Sequence, residues 1–354
     1  MNLRRLIALE VNRSVYSGLV KEHPLRTLFW ECTLRCNLSC RHCGSDCRST
    51  ASVKDMPISD MIPVLDSIAR ECNPHDVMIN VTGGEPLVRR DLEQCGKVFY
   101  DKGFPWGMVT NGAGLTPQRY RSLLENGLRA VTVSLDGIGE THDWMRGRKG
   151  IFPLAVSAIR MIAESNMVEY DVVTCVNKRS IKQLPQIKEL LVSLGVKEWR
   201  LFTVFPVGRA AADPELKLSG EEFRSLMEFI KATRKEGVIR ASYGCEGFLG
   251  DYEGDVRDNF YICSAGVTIG SVLSDGSIGA CSSIRADFSQ GNIYKDDFMH
   301  VWNSRYQPYR DRSWMRKDEC ADCKWFRFCL GNGMHLRDAS GHLLFCHLHR
   351  LQEA

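Results

Sequence analysis

The stretch Cys32-Thr-Leu-Arg-Cys36-Asn-Leu-Ser-Cys40-Arg-His-Cys43-Gly44 decides how the rest of the chain is interpreted. Its last three cysteines follow the spacing C-x3-C-x2-C, so one short loop supplies three thiolates. A cubane iron–sulfur cluster with four protein thiolates is saturated, whereas a cluster with three keeps one iron open for another ligand. The loop therefore predicts a [4Fe–4S] cluster with an open iron, and one-electron chemistry.

Short apolar runs of strand type alternate with helix-period segments over the first two thirds of the chain. In one such segment Met61, Val64, Leu65 and Ile68 recur three and four positions apart, and Pro63 is expected in the first helical turn. Strands that alternate with helices imply parallel β/α units, and six repeats are too few for a closed eight-unit barrel. We therefore expect an α/β fold with a partial (β/α)6 barrel of TIM type, whose strands are Thr27–Glu31, Val77–Thr82, Trp106–Thr110, Ala130–Leu135, Val168–Cys175 and Trp199–Val204.

The pattern changes after about residue 237, where helical periodicity fades and glycine and cysteine become frequent. A loop-rich segment of this size buries a small core, so bound metal would supply much of its stability. We predict three parts: an N-terminal helical extension (1–24), the barrel (25–236) and a small cysteine-rich α+β domain (237–354).

The composition is that of a cytoplasmic protein. The chain has 354 residues, 15 cysteines and a net charge of +3. Disulfides are disfavoured in a reducing compartment, so clustered cysteines there more often bind metal. The small charge argues against nucleic-acid and membrane partners, and no apolar run reaches the roughly 18 residues that span a bilayer. Isolated cysteines behave as small buried hydrophobic residues, which is the role expected for Cys72, Cys95 and Cys175. A structural role is also expected for Cys32 and Cys47, which flank the cysteine loop but do not fit its C-x3-C-x2-C spacing.

Further segments at the predicted strand ends accompany the cysteine loop. Gly83-Gly84-Glu85-Pro86 follows the second strand, Thr110-Asn111-Gly112 ends the third, and Ser134-Leu135-Asp136-Gly137 ends the fourth. Paired glycines let backbone carbonyls approach an ammonium group closely, and hydroxyl and carboxylate groups suit ribose hydroxyls. With these segments the chain resembles the radical S-adenosylmethionine (SAM) superfamily over roughly residues 25–350.

The resemblance implies a set of SAM contacts. In the family the GGEP segment contacts the amino group of SAM, and here the implied contacts are Gly83, Gly84, Glu85, Pro86, Thr110, Asn111, Ser134, Asp136 and, after the fifth strand, Asn177. His42 stands where the family usually has an aromatic residue. Two more segments, His142-Asp143-x-x-Arg146-Gly147 and Pro206-x-Gly208-Arg209-Ala210, also resemble family segments. Arg146 could face substrate or form a structural ion pair.

The C-terminal cysteines resemble the SPASM extension of this family, which carries auxiliary clusters. Cys263, Gly276 and Cys281 fit C-x(9–15)-G-x4-C, and a C-x2-C-x5-C block follows them. Zinc, which also uses C-x2-C pairs, is the alternative metal. The resemblance implies one complete ligand set, Cys320, Cys323, Cys329 and Cys346, and one partial set, Cys263, Cys281 and, upstream, Cys245.

The partial set departs from the family pattern. The family block would place one more cysteine at position 333, where this chain has Gly333. The first auxiliary cluster would then keep an open iron, take a ligand from His335, His342 or His347, or be absent. The number of auxiliary clusters is therefore one or two.

The resemblance also implies the mechanism. A cluster on Cys36, Cys40 and Cys43 would bind SAM and cleave it to methionine and a 5′-deoxyadenosyl radical, which abstracts a substrate hydrogen. A low-potential electron donor of the flavodoxin or ferredoxin type would supply the electron. No further catalytic residue is assigned.

A peptide or small-protein side chain is the leading substrate class. A small molecule or haem-related tetrapyrrole is one alternative, and a non-catalytic iron–sulfur or zinc scaffold is another. Sulfatase-maturing relatives carry an aspartate base after the cysteine that matches Cys281. This chain has Ser282 there, a poor base at neutral pH, and Asp287 is the nearest acidic substitute.

Overall fold

Strands and helices alternate along the first 243 residues. The computed structural model describes residues 1–244, 247–284 and 287–353. Its strands are β1 (Thr27–Thr33), β2 (Met78–Gly83), β3 (Trp106–Thr110), β4 (Leu128–Ser134), β5 (Glu169–Val176), β6 (Glu198–Thr203), β7 (Arg240–Tyr243), β8 (Ile269–Val272), β9 (Ser277–Gly279) and β10 (Gly291–Asn292). Its helices are α1 (Leu3–Glu22), α2 (Ile58–Glu71), α3 (Leu92–Asp101), α4 (Pro117–Glu125), α5 (Glu140–Arg146), α6 (Phe152–Ser165), α7 (Leu184–Ser193), α8 (Gly220–Glu236), α9 (Phe298–Ser304), α10 (Gln307–Arg310), α11 (Phe326–Cys329) and α12 (His347–Gln352).

Within the described ranges, ten strands form one sheet in the order β10-β9-β8-β1-β2-β3-β4-β5-β6-β7. Every neighbouring pair from β8 through β1 to β7 is parallel, whereas β9 and β10 add antiparallel pairs at one edge. The six expected strands are confirmed within two residues at each end. The α/β class with a partial barrel is therefore confirmed.

Two parallel strands, β7 and β8, were not expected. Each has only four residues, and β8 contains Gly270, so both are too short for apolar alternation to identify them as strands. Pairing with β6 and β1 forms them instead. Both strands follow residue 237, so the sheet continues across the predicted domain boundary. The boundary itself stays a prediction.

The helix α2 shows how the helices cover the sheet. Its predicted face, with Met61, Val64, Leu65 and Ile68, is buried. The expectation for Pro63 is wrong, because this residue is sixth in the helix rather than in its first turn. The helix begins earlier, at Ile58, and leaves Pro63 without the N–H that an interior residue would donate.

The N-terminal extension is helical, as expected, and packs against the C-terminal part of the chain. Asn2 caps α1 by accepting from the Arg5 N–H at 2.9 Å. Arg5 pairs with Asp255 at 2.7 Å, and the Tyr16 hydroxyl donates to the Cys263 carbonyl at 3.2 Å. None of the helices in the described part of the chain combines the length and the apolar composition that crossing a membrane requires.

Candidate active site

A cavity of about 150 Å³ lies at the carboxyl ends of β1–β4. Parallel strands bring their following loops to this edge, where barrels of this class place their chemistry. The three loop cysteines therefore face the same space as most of the predicted SAM contacts. The predicted residues in its lining are Cys36, Cys40, Cys43, Gly83, Gly84, Glu85, Thr110, Asn111 and Ser134.

The cysteine loop is shaped by local hydrogen bonds. The Cys36 N–H donates to the Arg48 carbonyl at 2.7 Å, and Cys36 Sγ accepts from the Leu38 N–H at 3.4 Å. Burial raises the pKa of Cys36 to about 12, whereas a hydrogen bond with the Cys47 thiol lowers the pKa of Cys43 to about 5. Iron binds the thiolate, so loading the loop releases protons. Three sulfur ligands beside an open cavity fit a cluster with one free iron position.

Gly83 and Gly84 form a close approach between β2 and the start of the cysteine loop. Gly83 has φ +125°, and a Cβ on either glycine would lie 2.1 Å from a carbonyl oxygen, that of Thr33 or of Arg35. The N–H groups of Gly84 and Glu85 donate to the same two carbonyls at 2.7 and 3.0 Å. Only glycine fits here, and the contact fixes the loop relative to the sheet.

Glu85 organises the turn after β3. Its carboxylate is buried and accepts from the Thr110 hydroxyl at 2.7 Å, the Asn111 N–H at 2.8 Å and the Leu87 N–H at 3.1 Å. Burial raises the pKa of Glu85, although these hydrogen bonds oppose the shift. Asn111 in turn donates to the Asn37 side chain at 2.8 Å. One carboxylate therefore connects two of the predicted SAM segments to the cysteine loop.

Asp136 lies behind the cavity rather than in its lining. Its fully buried carboxylate accepts from the Cys175 N–H at 2.9 Å and lies 2.8 Å from Arg146 Nε. His42 Nε2 is 4.0 Å away. Burial acts to raise the pKa of Asp136, but the Arg146 charge, the two nearby histidines and the Cys175 N–H together outweigh burial and hold the pKa below its usual range. Arg146 therefore forms the buried ion pair, and it also lines the cavity, so the role facing substrate stays a prediction.

Two other predicted SAM contacts are also placed outside the cavity lining. Pro86 is buried at the start of a 3-10 turn. Asn177 is fully buried, and its side chain accepts from the N–H groups of Arg179 and Ser180 at 2.9 and 3.0 Å. Short amide side chains often satisfy nearby backbone groups in this way, so Asn177 supports the turn after β5.

Sequence reasoning gave no site role to two residues that line the cavity, Cys47 and Arg209. Arg209 donates to the carbonyls of Cys40 at 2.7 Å and Cys47 at 3.0 Å. It thereby clamps the cysteine loop from a segment that follows β6. Such a contact between distant segments leaves no local pattern in the sequence. The thiol of Cys47, expected to be only structural, instead contacts Cys43.

The complete C-terminal cysteine set surrounds a second, much smaller cavity of about 20 Å³. The cysteines come from turns and short helices between residues 318 and 352. Arg337 is buried beside them, and its Nη2 donates to Cys320 Sγ at 3.3 Å. Four thiols around so little space fit a saturated metal centre. All four predicted ligands line this cavity: Cys320, Cys323, Cys329 and Cys346.

The partial cysteine set is arranged differently. Cys245 lies outside the described residues. The buried Arg312 guanidinium donates to the Cys263 carbonyl at 3.3 Å and to the Asn332 carbonyl, next to Gly333, at 3.2 Å. A buried cation thus joins Cys263 to the position where the family has its further cysteine.

The three candidate replacement histidines differ in their contacts. The His335 ring lies tilted against Phe205, with the ring centroids 4.2 Å apart, and is near the Arg312 guanidinium. His342 is exposed, with Nε2 3.9 Å from an Asp318 carboxylate oxygen. His347 is fully buried among aromatic rings, and neither of its ring nitrogens has a hydrogen-bond partner in the described ranges. Burial lowers the pKa of His335 to about 3 and that of His347 well below its usual value.

A larger cavity of about 400 Å³ lies beyond the end of β6. Phe205, Phe223 and Phe345 form its aromatic wall, and Lys217 and Arg350 add two cations. The segment that begins at Phe205 leads directly to Arg209, the clamp on the cysteine loop. One short segment, from Phe205 to Arg209, therefore contributes to the lining of both this cavity and the cavity beside the cysteine loop.

Comparisons with known proteins settle the family. Residues 30–191 match the radical SAM superfamily, and residues 263–324 match the SPASM iron–sulfur cluster-binding domain. This chain is a radical SAM enzyme with a SPASM domain. The enzyme therefore uses SAM and [4Fe–4S] clusters, including at least one auxiliary cluster, and the scaffold and zinc alternatives are set aside.

The relatives of the enzyme fall into more than one group. It is 28% identical over 330 residues to the Fe-coproporphyrin III synthase of Methanosarcina barkeri, covering 86% of this chain and 82% of that protein. It is 27% identical over 328 residues to the mycofactocin maturase MftC of Mycolicibacterium smegmatis, covering 89% and 79%. The solved structure of anSMEcpe with bound AdoMet and Kp18Cys peptide matches with a TM-score of 0.73 at 21% identity, covering 93% of this chain and 95% of that one.

Proposed function

We propose that this radical SAM enzyme modifies a side chain of a peptide or small protein. Cys36, Cys40 and Cys43 would hold the SAM-binding cluster, and the GGEP segment with Thr110, Asn111 and Ser134 would hold SAM. When bound and reduced, the cluster supplies the 5′-deoxyadenosyl radical. The chain's own residues contribute position and exclusion of water. Asp136 and Asn177 support this site from behind, because their side chains pair with protein groups.

The observation that carries the substrate class is the cavity of about 400 Å³ with its aromatic wall. Pockets that enclose small ligands range from roughly 300 to 1,000 Å³. This one is near the lower limit, so it accommodates a side chain with adjoining backbone, while the rest of a longer substrate stays outside.

The complete cysteine set would hold one auxiliary cluster, and we assign none to the partial set. Gly333 offers no ligand atom, and the Arg312 guanidinium lies between Cys263 and Asn332. The division of the chain at residues 24 and 236, the cytoplasmic location and the flavodoxin- or ferredoxin-type donor remain parts of this proposal.

The test uses the reconstituted enzyme with SAM, dithionite and a peptide encoded beside the gene. We expect a mass change in the peptide together with 5′-deoxyadenosine formation. Ala212 lines the large cavity and is exposed, so Ala212→Trp should fill the cavity without disturbing the fold. This variant should lose at least tenfold in peptide modification and keep SAM cleavage within about twofold. Loss of both activities to the same extent would contradict the proposed role of the cavity.

Modification of a tetrapyrrole is the second candidate. It is favoured by the Fe-coproporphyrin III synthase relative and by Lys217 and Arg350, which could pair with carboxylates at the cavity. Incubation of the same enzyme with Fe-coproporphyrin III separates the two classes. Conversion of the tetrapyrrole with no change in the peptide would overturn the peptide assignment.

A further inference from the structure

The cysteine loop at the barrel and the complete C-terminal cysteine set, called here the two cysteine sites, each have a buried arginine that contacts one cysteine sulfur. Arg146 Nη1 lies 3.7 Å from Cys40 Sγ, and Arg337 Nη2 lies 3.3 Å from Cys320 Sγ. The two arginines are 7% and 2% exposed. A sulfur that binds iron keeps lone pairs, so a hydrogen bond of this kind is compatible with a bound cluster. Long cationic side chains are rarely buried this deeply without a specific partner.

The two arginines differ in what balances their charge. Arg146 is neutralised by Asp136, whose carboxylate oxygen lies 2.8 Å from its Nε. Arg337 donates otherwise only to neutral carbonyls, those of Gly331 at 2.9 Å and Gly341 at 3.0 Å. Within the described ranges of the chain, no carboxylate forms an ion pair with Arg337. The Glu319 carboxylate lies near Cys320 but pairs with His349 rather than with Arg337, so it offsets the Arg337 charge at the Cys320 sulfur only in part.

Reduction adds one negative charge to a cluster, changing a [4Fe–4S]²⁺ state to [4Fe–4S]⁺. Net charge and hydrogen bonds to the sulfurs are among the factors that set cluster potentials. A nearby cation stabilises the reduced state and raises the potential, and burial strengthens the effect because the local dielectric constant is low. A carboxylate paired with that cation weakens the effect.

We propose that Arg146 and Arg337 are positioning residues that raise the reduction potentials of the two clusters, Arg337 more strongly than Arg146. The inference rests on the proposed assignment of the two cysteine sets as cluster ligands. The ion pair with Asp136 limits the rise at the SAM-binding cluster and keeps that cluster the stronger reductant. The less fully balanced charge of Arg337 makes the auxiliary cluster the easier one to reduce.

Redox titrations of the reconstituted full chain, followed by EPR, test the proposal. Addition of SAM should change the EPR signal of the SAM-binding cluster and so identify it. A variant with alanine at Cys36, Cys40 and Cys43 should show the EPR signal of the auxiliary cluster alone. At the wild-type midpoint potential, Arg337→Gln should lower the ratio of reduced to oxidised auxiliary cluster at least tenfold. For a one-electron couple this corresponds to a midpoint potential about 59 mV lower. At the SAM-binding cluster, Arg146→Gln should lower the ratio of reduced to oxidised cluster by a smaller factor. Asp136→Asn should raise that ratio. Arg305 and Arg90 are exposed, and their glutamine variants serve as controls with the same charge change.

The opposite signs expected for Arg146→Gln and Asp136→Asn distinguish charge from structural damage, since damage at one ion pair would shift both variants the same way. An Arg337→Gln midpoint equal to that of the Arg305→Gln control would overturn the proposal. If a glutamine variant loses iron, the lysine variant at the same position replaces it in the test, because lysine keeps the charge. A midpoint potential of the lysine variant close to wild type supports the proposal. A tenfold lower ratio of reduced to oxidised cluster in the lysine variant contradicts it. A wild-type chain that takes up no iron at these cysteines would instead overturn the proposed function, and this inference with it.

Discussion

The two cysteine sites differ in ligand number and in space. The barrel site offers three cysteines beside a cavity of about 150 Å³, and the C-terminal site offers four around about 20 Å³. An open coordination position is useful only where a ligand has room to reach it, and a saturated cluster needs no such room. The geometry thus supports the proposal that the barrel site makes the radical and that the C-terminal site holds an electron-carrying or structural cluster.

The supports of the two sites differ as well. Strand ends of a large sheet position the barrel site, with Gly84 packed against the cysteine loop. The C-terminal site is built from turns and short helices around the buried Arg337. Because a small loop-rich region buries little apolar surface, we expect it to depend more on its metal for stability than the barrel does.

The largest expected effect separates the two sites by activity. Cys36→Ala should abolish 5′-deoxyadenosine formation, a loss of at least about a thousandfold, because the SAM-binding cluster loses a ligand. Cys320→Ala should leave SAM cleavage within a few-fold of wild type in an anaerobic assay with dithionite. Equal losses in the two variants would remove the distinction between the sites.

A second prediction concerns the close approach at Gly84. Gly84→Ala would place a Cβ 2.1 Å from the Arg35 carbonyl oxygen, so backbone must move, and we expect a loss of about 3 kcal/mol in the free energy of unfolding. SAM binding should weaken at the same time. Gly18 in α1 has nothing within 4 Å of the added Cβ, so Gly18→Ala should raise stability by up to about 1 kcal/mol. Urea unfolding measures both changes, and equal stability of the two variants would count against the packing described here.

The smallest predicted effect is a pH dependence in the C-terminal region. Burial lowers the pKa of His347, so the unfolded chain binds a proton more readily than the folded chain. The contribution of His347 to the free energy of unfolding should therefore be fully present above about pH 6.5. It should fall by about 1.4 kcal/mol per pH unit as the pH drops below that value. His347→Phe should remove that part of the slope in urea unfolding between pH 6.5 and 5.5. An unchanged slope would contradict the burial of a neutral imidazole.

The sequence predicted the barrel site well, because its signals are local. The cysteine spacing and the strand-end motifs each fall within a few residues, and the parallel sheet brings them together. Contacts between distant segments were missed, such as Arg209 with Cys40 and Arg337 with Cys320. A pattern within one segment cannot show which partner a long side chain reaches after folding.

The same reason applies to Asp136 and Asn177, whose predicted contacts with SAM stay predictions. Both residues follow strand ends, and in the structure their side chains accept hydrogen bonds from protein groups outside the cavity lining. For Asp136 the competitor is Arg146, ten residues along the chain. Which of two available partners a carboxylate takes depends on three-dimensional placement and charge.

We propose that each of the two cysteine sites holds one cluster and that the region around Arg312 holds none. The iron content of the anaerobically reconstituted chain tests this claim most directly. Two [4Fe–4S] clusters correspond to about eight irons per chain, and replacing Cys36, Cys40 and Cys43 by alanine should reduce the count to about four. A wild-type count of about twelve, or a count unchanged in that variant, would contradict the claim.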